Sequence, residues 1–153
     1  MVSYDVCSLF TNIPLTETID LAVETIFANN QSISISKDEL KDLFNFATKQ
    51  THFLFNGDVF DQIDGVAMGS PLAPILANLF MSNLEEKFLN SMEGNEVLFY
   101  KRYVDDIFCC FETEAQANNF LEYISQQHPN IKFTIEKEEQ LTSISRYLYN
   151  FLK

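Results

Sequence analysis

Lys101-Arg102-Tyr103-Val104-Asp105-Asp106 sets two adjacent carboxylates between two short apolar runs. Leu98-Phe99-Tyr100 leads in and Ile107-Phe108-Cys109-Cys110-Phe111 leads out. Both runs are aromatic or β-branched, so they predict paired strands with the polar break as the hairpin tip. Two full charges ~4 Å apart repel by about 4 kcal/mol at an effective dielectric of 20. A bound divalent cation would remove that cost, and a solvated acidic turn is the alternative, since Asp is a common turn residue.

A second acidic position lies far upstream. Ser3-Tyr4-Asp5-Val6-Cys7-Ser8-Leu9-Phe10 carries one Asp among apolar and small residues, before Asn12-Ile13-Pro14 and a helical pattern. A carboxylate at a strand end and a carboxylate pair on a hairpin can together supply oxygens to two hard cations, the arrangement that moves phosphoryl groups. Asp5 also suits a turn or helix start. Between these positions, Gly65-Val66-Ala67-Met68-Gly69-Ser70-Pro71-Leu72-Ala73-Pro74 runs into Ile75-Leu76-Ala77-Asn78-Leu79-Phe80-Met81. Its glycines and prolines predict a turn with close backbone access beside a helix start. Such a loop can lie flat against a base or sugar, or serve as an ordinary helix entry.

Taken in order, the three elements resemble motifs A, B and C of reverse transcriptases, with the wording closest to the Penelope-like retroelement group. "SYDVCSLFTNIPL" resembles motif A, "DGVAMGSPLAPILANLFM" motif B and "FYKRYVDDIFCCF" motif C; "HPNIKFTIEKEE" resembles the strand after motif D. The resemblance implies an α+β fold, the ferredoxin-like (RRM-like) polymerase palm, whose antiparallel sheet has helices on one face. Fingers and thumb are expected to be largely absent. Residues 1–139 are assigned to the palm and residues 140–153 to a tail that departs from the family pattern.

The resemblance also implies a site. Asp5 and Asp105 would hold two Mg²⁺ ions, or Mn²⁺ in their place, with Asp106 assisting and the Val6 carbonyl as a further oxygen ligand. The backbone amides of Ser8 and Leu9 would meet the nucleotide phosphates. Phe10 stands where the family keeps an aromatic that excludes a ribose 2′-hydroxyl; core packing is its other reading. Met68 and Gly69 align with the Gln-Gly of retroviral enzymes, and a methionine packs on a base or sugar without an amide's hydrogen bonds. Lys132 is read either as a proton donor to pyrophosphate or as a strand-surface lysine. The implied partners are an RNA template, a DNA primer and deoxynucleoside triphosphates.

Composition pulls the other way. The chain has 153 residues, with 22 acidic residues against 10 basic and a net charge of −12. Polyanion binding is driven by Lys and Arg, so this balance is unlike a free-standing nucleic-acid enzyme and suits an isolated palm that carries an acidic metal site. The length allows one domain with a real core. Without an apolar run of ~18 residues or a signal-peptide pattern, a soluble intracellular protein is expected, nuclear or cytoplasmic. Oligomeric state is open. Cys7, Cys109 and Cys110 have no metal-ligand spacing and read as reduced, half-buried fillers, the adjacent pair facing opposite ways.

Periodicity supplies the remaining elements. Ile19, Val23, Ile26 and Phe27 predict a helix over 16–29. Ser36-Lys37-Asp38-Glu39 has capping-box spacing and opens a second helix through Leu40, Leu43, Phe44 and Ala47. Phe53-Leu54-Phe55 and Val59-Phe60 around Asn56-Gly57 read as a hairpin. Leu76, Leu79, Phe80, Leu84 and Phe88 continue one helical face to about Ser91, broken at Gly94-Asn95. Thr113 to Gln116 caps another helix, with Ala117, Phe120, Leu121 and Ile124 inward and His128-Pro129-Asn130 ending it. Ile131, Phe133 and Ile135 alternate with polar residues as a half-buried strand.

Two functions of different class follow. One is the catalytic palm of an RNA-directed DNA polymerase, incomplete and inactive alone. The other is an inactive retroelement relic or domesticated domain that binds protein. A nucleotide cyclase shares the paired-carboxylate logic but leaves the motif B loop without a role.

Overall fold

The computed structural model describes residues 1–29, 33–49, 51–92 and 97–136. The 140–153 tail and the helix break expected at Gly94-Asn95 lie outside them. The described elements are β1 (Val2–Val6), α1 (Leu9–Asn12), α2 (Leu15–Asn29), α3 (Lys37–Lys49), β2 (His52–Phe55), β3 (Asp58–Asp61), α4 (Ala73–Ser91), β4 (Phe99–Tyr103), β5 (Asp106–Cys110), α5 (Glu114–Ser125) and β6 (Phe133–Glu136). They divide into two compact units: Met1–Cys7 with the chain from Lys87 onward, and Ser8–Glu86.

The first unit holds a four-stranded sheet in the order β4-β5-β1-β6, with every neighbouring pair antiparallel. The strand from the N-terminus therefore lies at the centre, between the second strand of a hairpin and a strand more than 120 residues away. With α5 between β5 and β6 and the end of α4 before β4, this is the ferredoxin-like arrangement expected of a palm. Alternation along β1 sorts the side chains by face. Tyr4 and Val6 are buried with Ile107, Cys109 and Phe133, while Asp5 lies on the other face.

The buried face packs on helices. Phe120 of α5 meets Tyr4, Phe88, Tyr100 and Phe111 at ring-centroid distances of 5.4–6.5 Å, mostly edge-on or tilted, the geometry aromatic quadrupoles favour. The Tyr4 hydroxyl donates to the Ala117 carbonyl at 2.8 Å, and the Tyr123 hydroxyl to the Phe88 carbonyl at 3.1 Å. Burial, and then the nearby Cys109, push the Tyr4 phenol well above its ordinary pKa, so it stays a neutral donor. The Thr113–Gln116 capping box forms as expected.

In the second unit, Ser36 and Glu39 complete their capping box, with the Ser36 amide donating to Glu39 Oε2 at 2.8 Å and the Glu39 amide to Ser36 Oγ at 3.2 Å. Asn56 and Gly57 both have positive φ, at 53° and 90°, as a two-residue type I′ turn requires. Both faces of that β2–β3 hairpin are exposed. Leu9, Ile13, Leu15, Ile19, Val66, Leu76 and Phe80 are among this unit's buried residues.

Local expectations are amended in four places. The polar break at 101–106 is mostly strand: β4 runs through Lys101, Arg102 and Tyr103, leaving a two-residue turn. Helix α1 was not expected, because four residues are too few for a periodic signal. Ile131 is buried but precedes β6, and Leu121 is half-buried rather than inward. Cys7, Cys109 and Cys110 form no disulfide; Cys109 is buried rather than half-buried, and the other two are half-buried. Among the described residues, no helix is long and apolar enough to cross a membrane.

Candidate active site

Asp5 is the fourth of five residues in β1, and the ladder sets it directly opposite Asp106, the first residue of β5. Opposed residues of an antiparallel pair project from the same face, so both carboxylates stand on the face away from α5. Asp105 occupies the two-residue turn before Asp106, and its carbonyl accepts from the Val6 amide at 3.0 Å. That bond ties the turn to the strand carrying Asp5. The other turn residue, Val104, has φ 58°. A β-branched side chain rarely adopts this left-handed conformation, which costs on the order of 1–3 kcal/mol. The Arg102 guanidinium donates to the Val104 carbonyl at 3.0 Å and helps hold the turn.

The electrostatics follow from this arrangement. Asp5 is raised above the usual carboxylate range, first by burial, then by the charges of Asp105 and Glu136. Asp106 is raised too, by burial, Asp105, Asp5 and Glu136. Glu136, the last residue of β6, pairs with Ser3 and so falls on the same face as Asp5. The sequence offered only a polar position in an alternating strand; which strand β6 would pair with, and in what register, is a long-range outcome no local pattern contains.

Among the described residues, no three His, Cys, Asp or Glu side chains are grouped so as to hold a metal ion. Asp5 and Asp106 therefore share one end of one sheet face, with Asp105 in the adjoining turn, and the three do not close into a ligand cage. In kind the donors suit a hard divalent cation, since all are oxygens, and after burial the neighbouring carboxylates are what raise Asp5 and Asp106.

The other expected site residues lie in the two units as follows. Val6, 1% exposed, ends β1. Ser8 is exposed with φ 48° and ψ 48° at the start of α1, and the Leu9 side chain is buried. Phe10, half-buried, sits in the same helix. The motif B loop is joined to it, because the Val66 amide donates to the Phe10 carbonyl at 2.7 Å. From Ala67 to Ser70 the chain makes a turn closed by the Ser70 amide on the Ala67 carbonyl at 3.1 Å. Gly69 takes φ 92° at its third position, where a type II turn requires a positive value. Met68, at the second position, is 75% exposed. Ser70 Oγ accepts from the Leu72 amide at 3.3 Å as α4 begins.

No curated protein matches the sequence. The family model described as reverse transcriptase (RNA-dependent DNA polymerase) matches residues 1–143. With nearly the whole chain covered and a palm-like sheet carrying the acidic positions, the chain belongs to the reverse transcriptase family.

Proposed function

We propose that this chain is the catalytic palm of an RNA-directed DNA polymerase of the Penelope-like type, carrying out nucleotidyl transfer to a primer 3′-hydroxyl. The observation that carries the reading is the register pairing of Asp5 with Asp106, with Asp105 in the adjoining turn. The narrower group assignment rests on the wording of the motifs, above all "DGVAMGSPLAP" and "KRYVDD". The palm extends over residues 1–139.

In the reaction, the primer O3′ forms a bond to the α-phosphorus as the bond to pyrophosphate breaks. Asp5, Asp105, Asp106 and the Val6 carbonyl would hold two Mg²⁺ or Mn²⁺ ions. Such ions, when bound, lower the pKa of the attacking hydroxyl and offset the phosphoryl charge. The Ser8 and Leu9 amides meet the triphosphate, the Phe10 ring excludes a ribose 2′-hydroxyl, and Met68 and Gly69 pack against base and sugar.

The net charge of −12 favours a second reading, a non-catalytic protein-binding domain. Primer extension on an RNA template with deoxynucleotides and Mg²⁺ or Mn²⁺ separates the two. Extension by the purified chain that is lost in Asp105→Ala supports the polymerase; no extension by either protein supports the domesticated or decayed domain.

A further inference from the structure

The Asp64-Gly65-Val66 segment, just ahead of the exposed Met68, is built against the short helix that carries Phe10. Asp64 Oδ1 accepts from the Leu15 amide at 3.0 Å and from the Gly65 amide at 2.9 Å. It thereby caps α2 from 49 residues away, satisfying an amide that has no partner within its own helix. Gly65 has φ 78°, and a Cβ there would lie 2.5 Å from the Thr11 carbonyl oxygen and 2.8 Å from that of Phe10. Both are backbone atoms, which cannot swing aside as the end of a flexible side chain could. Val66 then donates its 2.7 Å bond to the Phe10 carbonyl and buries its side chain.

Helix α1 has four residues, too few to hold itself. Its position is held from outside: Leu9 and the following Ile13 are buried, Gly65 and Val66 lie against the Phe10 and Thr11 carbonyls, and Asp64 ties the same segment to the start of α2. The turn bearing Met68 and Gly69 begins at the next residue, so one hydrogen bond and a two-residue step fix Phe10 relative to Met68.

We propose that Asp64 and Gly65 are positioning residues for nucleotide selection, locking the Phe10 helix and the Met68-Gly69 turn into one piece. The proposal rests on the polymerase reading. Asp64 touches no nucleotide; it acts by anchoring α2 and the loop together. Loosening the clamp lets Phe10 move away from the sugar and admits ribonucleotides.

The test compares incorporation of deoxynucleotides and ribonucleotides on a primed RNA template with Mn²⁺. The proteins are the full chain, Asp64→Ala, Asp64→Asn and Gly65→Ala. Asp64→Asn keeps an acceptor oxygen, whereas Asp64→Ala does not. Because a selectivity ratio is unaffected by how much protein is folded, it separates positioning from stability. The expected result is a loss of selectivity on the order of tenfold in Asp64→Ala. It should arise chiefly from a lower KM for the ribonucleotide, with Asp64→Asn close to the wild-type ratio. Gly65→Ala should lose at least as much. Equal selectivity in the wild-type chain and Asp64→Ala overturns the clamp alone. A wild-type chain that incorporates neither nucleotide overturns the polymerase reading and the clamp with it.

Discussion

Asp5 and Asp106 are direct partners across the β1–β5 ladder. Directly opposed residues have Cβ atoms roughly 4.5–5.5 Å apart, and like charges there destabilise a sheet. Evolution normally avoids that placement. Here Asp105 and Glu136 add to the same negative field.

The first prediction concerns pH. The folded-state carboxyls of Asp5 and Asp106 are raised above the ordinary 3.8, so the folded state holds these protons longer than the unfolded chain. Stability from this source therefore falls as pH rises from about 3.8 through the raised folded values and is fully lost above them. Asp5→Asn should stabilise the metal-free protein at pH 7 by about 1 kcal/mol or less, since Asp5 is only half-buried and Asp106 is exposed, so solvent screens the pair. The gain should vanish near pH 3. Urea unfolding at both pH values checks this; a gain that persists in acid contradicts it.

Metal should reverse the penalty. A cation binding only the folded state at ten times its dissociation constant adds about 1.4 kcal/mol. The melting temperature in Mn²⁺ or Mg²⁺ should rise for the wild-type chain and rise less for Asp5→Asn and Asp105→Asn. Differential scanning fluorimetry against a Ca²⁺-free, EDTA-treated control reads the effect, and a flat wild-type response counts against a competent site.

Val104 holds a left-handed conformation at φ 58° in the turn beside Asp105. Glycine adopts it without steric cost. Val104→Gly should stabilise the fold by about 1 kcal/mol, partly offset by a floppier unfolded chain. Equilibrium denaturation measures the change. A clear loss of stability would mean that the Val104 side chain, 39% exposed, contributes more by packing than its backbone costs.

Tyr4→Phe removes the buried hydroxyl that donates to the Ala117 carbonyl at 2.8 Å. The cost should be about 1 kcal/mol, because the ring contacts with Phe111 and Phe120 remain and the carbonyl lies within α5. The same substitution should leave the Asp5 titration unmoved, since Tyr4 and Asp5 project from opposite faces of β1. Chemical-shift titration of Asp5 in both proteins checks the second half.

Most of the individual elements were legible in the chain itself. Ser36 with Glu39 and Thr113 with Gln116 mark helix starts through side-chain bonds spanning three residues, and Asn56-Gly57 marks a turn through its own backbone preference. Such signals survive in sequence because their physics is local. The acidic positions and their family were likewise readable, since Asp5, the Met68-Gly69 loop and Asp105-Asp106 occur in one order.

Only the tertiary structure decided what those positions face. The central place of β1 between β5 and β6 is a long-range pairing, and it alone brings Asp5, Asp106 and Glu136 into one electrostatic field. The same holds for Gly65: its sequence neighbours suggest a turn, whereas its need for a missing side chain comes from the carbonyls of Phe10 and Thr11, some fifty residues earlier. Local propensity selects helix, strand or turn. The chemistry at a carboxylate depends on charge and burial set by chain segments that meet only after folding.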